Sequence, residues 1–150
     1  MKIIFICTGN TCRSPMAACI AQHKLGSGFI IESRGIAAFD SPASPHAIKA
    51  VYTLECGTLI NHRAKRLTCE DATTADLLIC MTVGHVNHVV ENHPQQAHKV
   101  VLLHQLFGQD RDVDDPFGAS LKIYENIATE FSRLFDNKFP EILKKVVEQL

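Results

Sequence analysis

The sequence predicts a single α/β domain of three layers, a four-stranded parallel sheet with helices on both faces. Three observations carry this. Four short apolar runs, residues 2–6, 28–32, 76–81 and 99–103, have the length and continuous hydrophobicity of strands buried on both faces. Helical patterns lie between them, and that alternation gives βαβ units and a parallel sheet. The chain has 150 residues, with no repeat, low-complexity segment or linker, so residues 1–150 are assigned to one domain.

The first strand, Lys2-Ile-Ile-Phe-Ile6, runs into a Gly/Asn loop. A helix is expected over Met16–Leu25. Ser14 would be its N-cap, Pro15 its first residue and Gly26 its exit. Gly28–Glu32 reads as the second strand, Pro45–Glu55 as a helix and Asp76–Met81 as the third strand. Val83–Asn92 is read as a helix that stops before Pro94, and Lys99–Leu103 as the fourth strand. Residues 104–118 form a long acidic loop. Helical periodicity returns at Leu121–Phe135 and Glu141–Gln149, with Pro140 between them.

Composition narrows the function. The formal net charge is -1, which argues against nucleic acid as a partner. No stretch approaches the roughly 20 apolar residues that a membrane-spanning helix needs, and the apolar start is too short for a signal peptide. The expectation is therefore a cytoplasmic protein, favoured as a monomer, whose six cysteines (7, 12, 19, 56, 69 and 80) are free thiols. Cys19 and Cys80 read as small buried hydrophobes.

Cys7-Thr8-Gly9-Asn10-Thr11-Cys12-Arg13-Ser14-Pro15 lies between a strand end and a helix start, where open α/β sheets bind ligands. Gly9 and Asn10 tolerate the backbone angles of a tight curl. The N–H groups of such a curl, backed by the helix N-terminus, form an anion site. Arg13 would add a planar fork matched to two phosphoryl oxygens. Cys7 would stand at the first position, its thiolate stabilised by the helix N-terminus, Arg13 and the Ser14 hydroxyl, so a lowered pKa is expected. A phosphate in residues 8–14 would have sulfur in line with phosphorus. The second Gly and the Lys of a nucleotide P-loop are missing.

A cysteine phosphatase also needs an acid for the leaving group, then a base for the water that hydrolyses the phosphocysteine. Asp110-Arg-Asp-Val-Asp-Asp-Pro-Phe-Gly118 offers candidates. Counted from Asp110, Asp115 stands where a calcium loop has Gly, and Leu121 where it has Glu, so that reading fails. Asp110 and Asp112 are read as solvated. Pro116 fixes how Asp115 projects, which favours Asp115 over Asp114 without excluding the latter.

The Cys7–Pro15 loop, Glu32-Ser-Arg-Gly35, the Asp76–Met81 strand and Asp115-Pro-Phe-Gly118 resemble the low-molecular-weight protein tyrosine phosphatase family along essentially the whole chain. The resemblance implies no metal or other cofactor and phosphorylated proteins as substrates. It implies Cys7 as nucleophile, Arg13 as phosphate clamp, Asp115 as acid/base, Asn10 and Ser14 as loop supports, and Cys12 as a reversible disulfide partner of Cys7. Two positions depart from the tyrosine-specific pattern. Thr11 replaces an apolar residue, and Phe117-Gly118 replaces two tyrosines. Both look like the bacterial protein arginine phosphatases, a branch of the family. An apolar β-branched side chain packs on a phenol ring, whereas a threonine hydroxyl can orient a guanidinium. Thr11 and Phe117 are thus the expected specificity residues and phosphoarginine the expected substrate, with phosphotyrosine the alternative.

Other classes fit less well. An arsenate reductase of this fold needs a cysteine relay after the third strand, and no cysteine follows Met81. A phosphocysteine carrier would not need the Asp115-Pro116 loop. His85, His88, His93 and His98 have no metal-site spacing and are read as surface residues.

Overall fold

The structure, a computed structural model, describes residues 1–150. Four parallel strands, β1 (Lys2–Cys7), β2 (Ile30–Gly35), β3 (Leu77–Cys80) and β4 (Val100–Leu102), form one sheet in the order β2-β1-β3-β4. The helices are α1 (Arg13–Leu25), α2 (Pro45–Thr53), α3 (Cys69–Thr74), α4 (Val83–Asn92), α5 (Leu121–Leu134) and α6 (Phe139–Glu148). No helix is long and apolar enough to cross a membrane.

The two faces of β1 sort its side chains by the period of 2 that a strand imposes. Ile3, Phe5 and Cys7 enter the larger core with Met16 and Ile20 of α1 and the Phe131, Phe135 and Phe139 ladder. Ile4 and Ile6 enter the smaller one, with Ala72 of α3 and Val89 of α4. Cys7 therefore ends β1 on the face that α1 covers.

Several boundaries differ from the sequence reading, each for a local reason. Residues 26–28 form a 3-10 turn with Gly26 at φ 69°, so β2 starts at Ile30 and runs on to Gly35. Its polar end is neutralised by partners: Ser33 by Asn10, and Arg34 by Glu32 and Asp71. Helix α3 was not expected. It has six residues and no apolar period, yet its capping box, Thr68 with Asp71, is present. Ser14 is not an N-cap, because α1 already begins at Arg13 and the Ser14 hydroxyl turns to Cys7. Pro140 lies within the first turn of α6, where a missing N–H costs nothing.

The stretch after β4 begins as a 3-10 turn over Leu103–Phe107, and the acidic segment beyond it is anchored. Val113 is buried, and its N–H bonds the Met81 carbonyl at 2.8 Å. Asp112 is not merely solvated, because its carboxylate accepts from the first N–H of α4 at 2.9 Å. Cys80 is fully buried, as expected, but Cys19 is only half-buried.

Candidate active site

Residues 7–13 curl between the carboxyl end of β1 and the start of α1. Asn10 makes the curl possible at φ 57°, a left-handed conformation that its short polar side chain tolerates. Three other parts of the chain hold it there. Its side-chain carbonyl accepts from the Lys65 N–H at 3.0 Å, and its amide donates to Ser14 Oγ at 2.8 Å and Ser33 Oγ at 2.9 Å. Its backbone carbonyl accepts from His62 Nε2 at 2.8 Å.

Ser14 Oγ lies 2.8 Å from Cys7 Sγ and 3.3 Å from the Arg34 carbonyl. With Asn10 donating to that oxygen, the serine's own proton is left for these two, and sulfur is the nearer. Burial pushes the Cys7 thiol up, opposed by the Ser14 hydroxyl, the Ser14 and Asn10 N–H groups and Arg13. This corrects the lowered pKa read from the sequence, in which the stabilising groups are visible and the burial is not.

Arg13 is buried and reaches across to the acidic segment. Its Nη1 donates to the Val113 carbonyl at 3.2 Å, and Nη2 stands 3.7 Å from Asp115 Oδ2. A cleft of about 290 Å³ is lined by Cys7, Thr8, Gly9, Thr11, Cys12, Arg13, Asp115 and Phe117. Asp115 lines it and Asp114 does not. The Asp115 side chain is 62% exposed, open to both substrate and water. Cys12 Sγ lies 3.3 Å from the Tyr124 hydroxyl and 3.5 Å from Ser44 Oγ.

The family model described as "Low molecular weight phosphotyrosine protein phosphatase" matches residues 2–149. The chain belongs to this family. A protein-arginine-phosphatase of Geobacillus stearothermophilus is 39% identical over 137 residues, covering 90% of this chain and 91% of that one. A low molecular weight protein-tyrosine-phosphatase, PtpB of Staphylococcus epidermidis, is 34% identical, covering 91% of this chain and 95% of that one. Among solved structures, the YwlE arginine phosphatase, as a C7S mutant with phosphorylated active site serine, has a TM-score of 0.82 at 34% identity, covering 100% of this chain and 95% of that one. The chain is a cysteine-dependent protein phosphatase.

In this low-molecular-weight phosphatase Cys7, Thr8, Gly9, Thr11, Cys12 and Arg13 meet Asp115 and Phe117 in one cleft, while Asn10 and Ser14 are fully buried and do not line it. The histidines do not all stay at the surface. His85 is buried because it shares the inward face of α4 with Val89, one turn away, and His104 is fully buried. No three of the chain's His, Cys, Asp or Glu side chains stand together as a metal-holding group.

Gly35 ends β2 beside the cradle. A Cβ there would meet the Thr8 carbonyl at 2.5 Å, Ala38 Cβ at 2.8 Å and the Asn10 N–H at 3.0 Å. Two of these are cradle backbone and cannot swing aside. Gly35→Ala should cost about 1–3 kcal/mol of stability by overpacking. It should also weaken vanadate affinity about tenfold by shifting the cradle. Denaturant unfolding and vanadate titration read the two effects.

His85 and His62 give the fold a pH dependence. Burial, then Arg13, holds His85 down at about 4, opposed by Asp112 and Asp115, and burial also lowers His62. Both groups return to about 6.5 on unfolding. The unfolded chain therefore binds more protons between about pH 6.5 and 4, and stability falls as pH drops through that window. Denaturant midpoints at pH 7, 6 and 5 should decrease in that order, and His85→Gln should flatten the slope. An unchanged slope in that variant would assign the effect elsewhere.

Proposed function

We propose that this enzyme is a protein arginine phosphatase that works through a phosphocysteine on Cys7. The carrying observation is the cleft itself. A sulfur hydrogen-bonded to Ser14, a buried guanidinium and an exposed carboxylate stand around it.

In the first step the N–H groups of residues 8–13 and Arg13 hold the three equatorial oxygens, and Cys7, as the thiolate that the second step regenerates and that Ser14 and Arg13 stabilise, attacks phosphorus in line. The P–N bond breaks as Asp115 gives its proton to the leaving guanidine nitrogen. In the second step Asp115, now a carboxylate, takes a proton from water. That water's oxygen attacks phosphorus, the P–S bond breaks, and inorganic phosphate leaves with Cys7 as thiolate. Ser14 donates to that sulfur as it takes up charge.

Thr11 supports arginine over tyrosine. It lines the cleft, its hydroxyl 3.6 Å from Cys12 Sγ, where a tyrosine-directed site would have an apolar side chain. The similarity to the protein-arginine-phosphatase of Geobacillus stearothermophilus points the same way. Phe117, 82% exposed at the rim, offers a flat face to either group. We place the activity in a reducing cytoplasm, on phosphorylated protein side chains, with the enzyme as a monomer. Six free thiols and a net charge of -1 support that setting.

The test compares kcat/KM on phosphoarginine and phosphotyrosine peptides. The wild type should favour phosphoarginine. Thr11→Ile should shift the ratio toward phosphotyrosine by about tenfold, the worth of one positioned hydrogen bond or apolar contact. A wild type that prefers phosphotyrosine, with no shift in Thr11→Ile, makes this a tyrosine phosphatase.

A further inference from the structure

Beneath the rim of the cleft lies a pair of side chains that the two chemical steps do not use. Thr8 follows the nucleophile, is exposed, and lines the same cleft as Cys7 and Asp115. Its hydroxyl is held from below by His85 of α4, 77 residues on in the chain, at 2.8 Å from Nε2. The imidazole is 4% exposed, and its other nitrogen, Nδ1, is buried without any partner.

That orphan nitrogen assigns the tautomer. A buried N–H without an acceptor is rarer and costlier than a buried lone pair without a donor. The proton therefore sits on Nε2 and is donated to Thr8 Oγ1, while Nδ1 keeps a bare lone pair. His85 is held far below neutrality by burial, Arg13 and His88 against Asp112 and Asp115, so one proton is all it carries at neutral pH. Thr8 Oγ1 has two lone pairs and one proton. His85 occupies one lone pair, leaving the other and the O–H directed away from the imidazole.

A hydroxyl so fixed matches an N-phosphoryl group. Phosphoarginine presents an N–H next to the P–O oxygens, a donor and an acceptor side by side. An aryl phosphate has no N–H there. Resting on the arginine phosphatase reading above, we propose that Thr8 is a further specificity-determining residue that accepts from the guanidino N–H of the substrate, and that His85 is the positioning residue that fixes its hydroxyl.

The test uses the full chain with phosphoarginine and phosphotyrosine peptides and reads the ratio of the two kcat/KM values. Thr8→Val and His85→Leu should each lower the phosphoarginine-to-phosphotyrosine ratio about tenfold. The double variant should lower it no further, since both break one arrangement. His85→Gln, whose amide can donate from a similar position, should restore much of the ratio. A general loss of fold lowers both substrates together and leaves the ratio alone. Thr8→Val is an exposed, same-shape change, so it carries the test even where His85→Leu does not fold. An unchanged ratio in folded Thr8→Val that still turns over phosphotyrosine overturns the proposal and leaves the phosphatase reading standing. Additive losses in the double variant overturn the role given to His85.

Discussion

Cys7→Ser is expected to lose turnover on every substrate, by a factor on the order of 10⁴ or more, while still binding phosphate and vanadate. Serine keeps the shape of the side chain. Its hydroxyl, however, ionises far less readily than a thiol, and Ser14 can stabilise only a charge that forms. The anion site persists because the cradle is backbone N–H plus the Arg13 guanidinium, and none of those atoms belongs to residue 7. Steady-state assays with an aryl phosphate, paired with vanadate titration, check both halves. Retained turnover would remove Cys7 as nucleophile. Loss of anion binding as well would show that the cradle depends on the sulfur.

The second large effect falls on Asp115. Asp115→Asn should slow an aryl phosphate with a poor leaving group about a hundredfold or more. It should slow one with a good leaving group far less in the first step. A protonated carboxyl helps only where the departing atom needs its proton in the transition state. The geometry gives this to Asp115 rather than its neighbour, because only Asp115 lines the cleft and stands 3.7 Å from Arg13. The dependence of kcat/KM on leaving-group pKa, measured for Asp115→Asn and Asp114→Asn side by side, checks it. A larger effect in Asp114→Asn would move the acid by one residue.

Most of the sheet and the phosphate loop were legible because their signals are local. An apolar run ending in Cys-Thr-Gly-Asn shows a buried strand and a curl within ten residues. The polar end of β2 was not, since Ser33 and Arg34 pair with Phe5 and Ile6 of β1, and their polar side chains are satisfied only by partners 23 and 37 residues away, Asn10 and Asp71. Helix α3 carried one sequence signal, the spacing of Thr68 and Asp71, without an apolar face to go with it. The nucleophile, clamp and acid could be named because each is a residue type that the chemistry needs, next to a loop or a proline. The residues that hold them could not. His62, Lys65 and Ser33 reach Asn10 from across the fold, and Gly35 matters because its missing Cβ makes room for the cradle. Burial of Cys7, which reverses the expected direction of its pKa, is likewise a property of packing and not of the loop's sequence.

The phosphocysteine is the central claim, and it can be trapped. Wild-type enzyme mixed with an excess of ³²P-labelled substrate, quenched in acid within one turnover and digested, should yield label on the peptide that carries Cys7, in an amount that rises and then decays at the rate of phosphate release. Label on any other residue, or release of phosphate with no labelled protein under the same quench, would contradict the account.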